Sequence, residues 1–218
     1  MNIQLRWRGP YSVIEGTKLP CLFTSEDAAI GRPGVYLWTV ERHAEEMVFY
    51  VGKTDESFRK RLWTEFRAVR RKRWDWIADP QERIRGIRRP DCWDWTPDAK
   101  LLRKGVRRWT YQPLGSKKPY MPAWIEKESV VDAAWRGFLK TIRIFITPTM
   151  GAVRRRKDIE TALTWAVSDH EGSICKTDDD YFLSCTPART LTYKYRIRSV
   201  APVTFRGLSP VISGGPEI

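Results

Sequence analysis

Two short apolar segments on either side of a polar stretch constrain the fold of this chain more than any other feature. Gly34 to Val40 (GVYLWTV) and Met47 to Val51 (MVFYV) are rich in β-branched and aromatic residues, and the intervening Glu41 to Glu46 is polar. Such composition favours strands, and a short polar connection between two strands is typical of a β-hairpin. We therefore expect an antiparallel hairpin whose connection is Glu41 to Glu46.

A helix is predicted directly after the hairpin. Its apolar residues recur at the spacing of one helical face, and they are Phe58, Leu62, Phe66 and Val69. Either Ser57 or Asp55 is placed to cap the first turn. The order strand, strand, helix is thus expected for residues 34 to 69.

The same two patterns return later in the chain. Thr141 to Thr147 (TIRIFIT) alternates as a strand does, and Pro148 is expected to end it. A second helix is predicted beyond it from one apolar stripe, formed by Ile159, Ala162, Leu163 and Ala166.

Both ends of the chain contain strongly alternating segments that carry basic residues. Apolar residues alternate with polar or basic ones from Ile3 to Arg8, up to Gly9-Pro10, and again from Leu191 to Arg198. We expect two strands that share one sheet. Their outward arginines, which include Arg6, Arg196 and Arg198, could follow a phosphate backbone or could protect an edge strand from aggregation, and both interpretations stay open.

The fold class expected from these elements is α/β in the α+β sense, with a small, mainly antiparallel sheet flanked by helices. The length of 218 residues favours one domain with an elaboration. We divide the chain into an N-terminal strand extension at 1–30, a core in two parts at 31–66 and 141–170, a basic helical insert at 67–140, and a C-terminal strand extension at 171–218.

The charge indicates the class of partner. The chain has 39 basic and 26 acidic residues, a formal net charge of +13, which exceeds what solubility requires and attracts polyanions. Nucleic acid is the expected partner, although a basic protein without a dedicated polyanion site is the alternative. The insert mixes tryptophan with basic runs, and there we expect phosphate contacts from Arg70, Arg71, Arg88 and Arg108. Most tryptophans of the insert are expected in its core.

Several other classes of protein are disfavoured. No apolar run has the length of a membrane span, and Met1 to Pro10 lacks the apolar core of a signal peptide, so we expect a cytoplasmic protein without a membrane partner. The four cysteines are far apart in the sequence and form no C-x-x-C motif, which argues against a zinc site; they are Cys21, Cys92, Cys175 and Cys185. We expect them to be reduced thiols that pack against other side chains.

Four features together resemble the GIY-YIG nuclease superfamily. Gly34-Val35-Tyr36 resembles its first tripeptide, and Tyr50-Val51-Gly52, extended as YVGKT, resembles its second. Arg61 on the following helix and Glu160 in KDIETAL on the late helix match the arginine and glutamate of the family. The resemblance covers two parts of the chain, at 34–66 and 141–167.

The resemblance implies a DNA endonuclease that hydrolyses phosphodiester bonds. Tyr36 is expected to take the proton of the attacking water, with Tyr50 and Lys53 helping to orient and activate it. Arg61 would donate to the phosphoryl oxygens, and Glu160 would hold one Mg²⁺ or Mn²⁺ ion. Phosphodiester hydrolysis requires a base, a nucleophilic water and cations at the phosphoryl oxygens, so these residue types suit the chemistry. A homodimer is possible for an enzyme that cuts both strands.

This chain departs from the family pattern at two positions. Glu65 stands where the family usually has histidine or tyrosine one turn after the arginine, and Asn2 is the only asparagine, which leaves His170 or Asp169 as substitutes for a late asparagine. The alternative function is therefore a non-catalytic nucleic-acid-binding module on a degenerate nuclease core, and a basic scaffold for a protein complex is a third. In the alternative, Arg61 only pairs with Glu65 at the surface, and Glu160 is a solvated residue beside Arg156.

Overall fold

The computed structural model describes residues 2–42, 44–70, 139–149, 151–169 and 194–214. The strands are β1 (Asn2–Arg6), β2 (Arg8–Tyr11), β3 (Gly34–Arg42), β4 (Glu45–Thr54), β5 (Ile142–Pro148), β6 (Tyr195–Val200), β7 (Phe205–Arg206) and β8 (Val211–Gly214). The α-helices of the described part are α1 (Phe58–Arg70) and α2 (Val153–Asp169), and a short 3-10 helix lies at Ala28–Gly31. This mixture of helices and sheets confirms the α+β class.

The strands form two sheets. One has five strands in the order β2-β5-β3-β4-β7, and all its pairs are antiparallel except that of β4 with β7. The other has three strands in the order β1-β6-β8. The sheet that contains the hairpin is mainly antiparallel as predicted, and the three-stranded sheet contains the predicted terminal strands β1 and β6.

The hairpin of β3 and β4 is confirmed, but its connection is shorter than predicted. Strand pairing continues through Glu41↔Glu46 to Arg42↔Glu45, and Ala44 after it has a φ of 63°. The polar residues belong to the strands because they pair with one another inside the structure. Thr39 Oγ1 donates to Glu46 Oε2 at 2.7 Å, and Arg143 Nη1 lies 2.9 Å from Glu46 Oε1.

A bulge in the hairpin adapts β4 to the core. Trp38 pairs with Tyr50 and the next residue, Thr39, pairs with Val48, so β4 has one extra residue between the two pairs. Such an insertion shifts the side-chain alternation by one position. Val48 and Val51, three residues apart, therefore both join the buried apolar cluster.

Helix α1 begins where the sequence indicates. The Lys60 backbone N–H donates to Ser57 Oγ at 3.1 Å, so Ser57 is the capping residue and Asp55 is not. Helix α2 places its apolar stripe against the five-stranded sheet. Ile159, Ala162, Leu163 and Val167 share one buried cluster with residues of β3, β4 and β5.

The prediction that the two alternating segments share a sheet is confirmed, as far as the described residues extend. Strand β1 pairs in parallel with β6, with Ile3 opposite Ile197. The predicted end of the first strand at Gly9-Pro10 was wrong, because that strand stops at Arg6 and Gly9-Pro10 lies within β2. Gly9 has a φ of 126°, and a Cβ there would lie 2.6 Å from the Ile144 carbonyl oxygen of β5. The absence of a side chain at Gly9 therefore lets the backbone of β2 approach that of β5 closely.

The chain divides into two compact units, Met1–Leu62 with Ile142–Ile218, and Trp63–Thr141. The whole insert predicted at 67–140 belongs to the second unit, and the predicted extensions at 1–30 and 171–218 belong to the first. Of the arginines predicted to contact nucleic acid, Arg70 is the last residue of α1, and Arg71, Arg88 and Arg108 lie outside the described residues. Among the helices of the described part, none has the length and apolar character to cross a membrane.

Candidate active site

The two tripeptides meet across the hairpin, where Tyr36 lies opposite Gly52. A Cβ added to Gly52 would collide with the Tyr36 ring and would lie 2.6 Å from its hydroxyl oxygen. The absence of a side chain at Gly52 therefore lets the Tyr36 ring lie across β4. This contact explains why a glycine follows Tyr50-Val51.

Gly34 makes a comparable close approach at the start of β3. A Cβ there would lie 2.5 Å from Cζ of Phe58 and would overlap the Thr147 carbonyl oxygen of β5. The glycine thus lets the first residue of α1 pack directly on the sheet. The Phe58 ring also meets the Tyr36 ring edge to face, with centroids 6.3 Å apart.

The two tyrosines are neighbours but differ in exposure. Their ring centroids are 6.1 Å apart, and Tyr50 also contacts Trp38 at 5.2 Å. Tyr36 is completely buried, with a relative exposure of 0%, whereas Tyr50 is half-buried. Tyr50 is therefore the more accessible hydroxyl of the pair.

Glu160 of α2 lies where residues from three elements converge. Burial, the largest influence, raises the pKa of its carboxyl above the usual range, and the Asp55 carboxylate adds to this effect. The Lys53 ammonium, a backbone N–H donated by Lys53, and the Arg61 guanidinium oppose it, in that order. The carboxyl of Glu160 on α2 is thus electrostatically coupled to Lys53 of β4 and Arg61 of α1. The sequence placed these three residues on three separate elements.

A second carboxylate supports this group, and the sequence reasoning missed it. Asp55 Oδ2 lies 2.6 Å from Lys53 Nζ, and Asp55 Oδ1 lies 2.8 Å from Nε of Arg156. Burial disfavours ionisation of Asp55, but its hydrogen bonds from Lys53 and Arg156 and their charges outweigh this and hold its pKa below the usual range. Asp55 is therefore an ionised link between β4 and α2.

Arg156 holds that link in place. Its side chain is only 7% exposed, and Nη1 donates to the Gly151 carbonyl oxygen at 2.7 Å. The alternative in which Glu160 is a solvated residue of a charged turn beside Arg156 was therefore wrong, because Glu160 is half-buried within α2 and Arg156 is buried. Their spacing of four residues, which places both on one face of α2, was the available signal.

The position of Glu65 is also informative. Arg61 is exposed, whereas Glu65 is only 5% exposed. Glu65 is therefore not a solvated partner of Arg61 at the surface. The proposed substitutes for the late asparagine remain predictions, because His170 lies outside the described residues and only the backbone of Asp169, at the end of α2, is described.

The donor set determines whether a metal ion fits. Across the described ranges, no three side chains of histidine, cysteine, aspartate or glutamate group together as metal ligands. Both oxygens of Asp55 are engaged by cationic side chains, and Glu160 is the carboxylate that the resemblance assigns to the metal ion. A single hard oxygen donor suits Mg²⁺, which is often bound by one or two carboxylates with water and substrate phosphate.

Comparison of the chain with protein-family models, with curated proteins and with solved structures gave no match. The assignment of the site therefore depends on the contacts described above.

Proposed function

We propose that this protein is a divalent-metal-dependent endonuclease that hydrolyses phosphodiester bonds in DNA, on a core that resembles the GIY-YIG nucleases. The observation that carries the proposal is the coupling of Glu160 to Lys53 and Arg61. A half-buried carboxylate beside two cations has the mixed charge that a metal-assisted phosphoryl site requires. The formal net charge of +13 supports a polyanionic substrate.

Each residue of the group has one task in this proposal. Glu160 holds Mg²⁺ or Mn²⁺, which supplies Lewis-acid stabilisation of charge at the phosphoryl oxygens. Arg61 donates from its planar guanidinium to the non-bridging oxygens, a geometry that a lysine does not reproduce. Lys53 and Tyr50 orient the attacking water. Tyr36, ionised to the phenolate, accepts one proton of that water as the water oxygen bonds to phosphorus. The bond from phosphorus to the ester oxygen breaks, and the departing ester oxygen takes a proton from solvent.

Cleavage of supercoiled plasmid, with Mg²⁺ or with a chelator, tests the proposal. Glu160→Gln should lower the rate by more than about a hundredfold, the usual scale for a metal or proton-transfer role. Glu56→Gln is the matched control, because Glu56 is an exposed carboxylate in the same region, paired only with Lys60 in the described structure at 2.8 Å. Equal cutting by the parent and Glu160→Gln would refute the assigned site.

The second candidate is a nucleic-acid-binding module without catalysis, and the complete burial of Tyr36 favours it. A buried hydroxyl reaches a water molecule less readily than an exposed one. Tyr36→Phe separates the two candidates. The nuclease proposal expects cleavage to fall by more than about a hundredfold with DNA affinity nearly intact. If the protein is a binding module, the parent should bind DNA but should show no metal-dependent cleavage.

Location and assembly complete the proposal. We place the nuclease in the cytoplasm, and a homodimer would supply the two strand cuts of a double-strand break. Light scattering with and without duplex DNA tests the dimer, and a monomer in both conditions would exclude it.

A further inference from the structure

The outer side of the three-stranded sheet carries three arginines. Strands β1 and β6 expose alternate residues, and the exposed arginines are Arg6, Arg196 and Arg198. We call these three residues the arginine face. The opposite side of the same strands is apolar, with Ile3, Leu5 and Ile197 in the buried cluster. The sheet thus has one face in the core and one basic face toward solvent.

Neutral residues surround these arginines in the sheet. Arg196 lies between Asn2 of β1 and Ser213 of β8, and Arg198 lies between Gln4 and Val211. Arg6 lies opposite Val200. Among the described residues, no carboxylate pairs with Arg6, Arg196 or Arg198 within 4.0 Å, the limit for an ion pair. The arginine face has no counter-charge within the described sheet.

Protection of an edge strand does not explain this face. Lysine and arginine often discourage strand pairing at an exposed edge. In the described sheet, however, β6 is the central strand, paired with β1 on one side and β8 on the other. Arg196 and Arg198 therefore do not lie on an edge, and the edge interpretation applies only to Arg6.

The grouping of like charges carries an energetic cost. Alternate residues of a strand are about 7 Å apart, and diagonal neighbours on adjacent strands are separated by a similar distance. Arg198 has Arg196 and Arg6 at these two separations, which are shorter than the screening length of about 10 Å at 0.1 M salt, so both guanidiniums repel that of Arg198. A polyanion bound to the face would relieve this repulsion.

We propose that the arginine face binds the phosphate backbone of duplex DNA. This inference rests on the proposed function and adds a contact surface formed by residues other than those of the Glu160 site and the insert. Arginine presents a planar fork of donors to phosphate oxygens. Platforms for single strands stack bases on aromatic side chains, and the described outer residues of β1, β6 and β8 include no aromatic residue. Duplex DNA, read through its backbone, is therefore the partner.

The test is the salt dependence of binding to a fluorescent duplex of about 20 base pairs, between about 50 and 200 mM salt. The triple variant Arg6→Gln/Arg196→Gln/Arg198→Gln should lower the slope of log affinity against log salt by about 2.7, at about 0.9 for each phosphate contact. The ratio of the affinity at 50 mM salt to that at 200 mM salt should therefore be about fortyfold smaller for the triple variant than for the parent. The control Lys18→Gln/Arg32→Gln/Lys60→Gln removes the same charge from exposed positions outside this sheet and should keep the parent slope.

Three results would overturn the inference, and the third concerns anionic vesicles. One is a parent slope in the triple variant, and another is an equal loss in the control, which would indicate net charge alone. The control should melt close to the parent because its positions are exposed, and the triple variant should melt at or slightly above the parent temperature because it loses only like charges at exposed positions. A parent that neither binds nor cuts duplex would refute the proposed function. A parent that binds and cuts, with a triple variant of unchanged slope, would refute only the arginine face. Binding to anionic vesicles through these arginines, without duplex binding, would also overturn it.

Discussion

The carboxyl of Glu160 is held between burial, which favours its neutral form, and the cations Lys53 and Arg61, which favour its charged form. Burial is the larger influence, so its pKa in the folded protein is above the ordinary value of 4.5. The folded protein then binds this proton more tightly than the unfolded chain does. Its free energy of unfolding therefore falls as pH rises from the ordinary value through the raised one.

This sign gives a prediction that does not depend on catalysis. Glu160→Gln removes the ionisable group, so its stability does not fall over that range. The melting temperature of Glu160→Gln minus that of the parent should become more positive from about pH 4.5 to about pH 7. Glu56→Gln, at an exposed carboxylate, should show no such trend. A constant difference for Glu160→Gln would contradict the buried position of the carboxylate.

Arg61 provides the sharpest residue-scale test of the nuclease proposal. As a donor to developing phosphoryl charge, its loss in Arg61→Ala should raise the barrier by about 3 kcal/mol, which lowers the single-turnover rate by about a hundredfold. Because Arg61 is exposed, Arg61→Ala should change the free energy of unfolding by at most about 1 kcal/mol. Normal cutting by Arg61→Ala would remove the catalytic role. Faster cutting by Glu65→His would indicate that the missing histidine limits the activity.

At the scale of elements, the hairpin depends on the contact between Gly52 and Tyr36. Alanine in a strand is ordinarily more stable than glycine by about 0.5 to 1 kcal/mol. At Gly52 the added methyl group would meet the Tyr36 ring, so Gly52→Ala should instead destabilise by about 1 to 3 kcal/mol. In a Tyr36→Ala background the same change should be neutral or stabilising. Gly31→Ala, where a Cβ would meet nothing within 4 Å, is the control for denaturation measurements.

The other end of the hairpin contains a buried ion pair with its own pH dependence. Burial is the main reason that the pKa of Glu46 is raised, and Arg143 acts against it. Arg143→Met should destabilise by about 3 kcal/mol near neutral pH, the lower end for a broken buried pair, because Arg143 is 18% exposed. The loss should shrink as pH falls and Glu46 becomes protonated.

Two further variants complete this test. Glu41→Gln removes the exposed partner of Arg143 and should cost less than about 1 kcal/mol. Glu46→Gln/Arg143→Met, which leaves no buried charge, should recover much of the stability. Equal losses in the single variant Arg143→Met at about pH 4.5 and about pH 7 would show that the charge of Glu46 is not the cause.

Local patterns predict the elements well and their partners less well. Alternation and helical spacing identify the hairpin, α1 and α2, because each period reports one buried face. The polarity of Glu41 to Glu46 wrongly indicates a loop, because a sequence does not show that Thr39 and Arg143 satisfy Glu46 inside a sheet. The pairing of β8 with β6 was not predicted, since alternation shows that a strand has two faces and not every strand that it pairs with.

The candidate site shows the same division. Lys53, Arg61 and Glu160 were predictable through a resemblance, and their electrostatic coupling is a property of the fold. Asp55 and Arg156 were missed because their ion pair joins residues 101 positions apart in the chain. A sequence without aligned relatives carries no signal for such a pair.

At the scale of the whole molecule, the net charge of +13 must be divided among surfaces before it explains the proposed DNA binding. The proposals assign phosphate binding to the arginine face and, as a sequence-based prediction, to Arg70, Arg71, Arg88 and Arg108 of the insert. Counter-ion release makes the salt slope proportional to the number of phosphates that the protein neutralises, so contributions from different surfaces to one complex add. The slope therefore measures how many phosphates each surface binds.

The last prediction uses this additivity. Neutralising the four insert arginines to glutamine should lower the salt slope on the same duplex by about one for each phosphate that the variant no longer binds, hence by up to about four. Combined with the triple variant of the arginine face, the two reductions should sum if both surfaces bind the same duplex. If the combined variant has the slope of the arginine-face variant, the insert arginines bind no phosphates. If the combined reduction falls short of the sum, while each set alone lowers the slope, the two surfaces compete for the same phosphates.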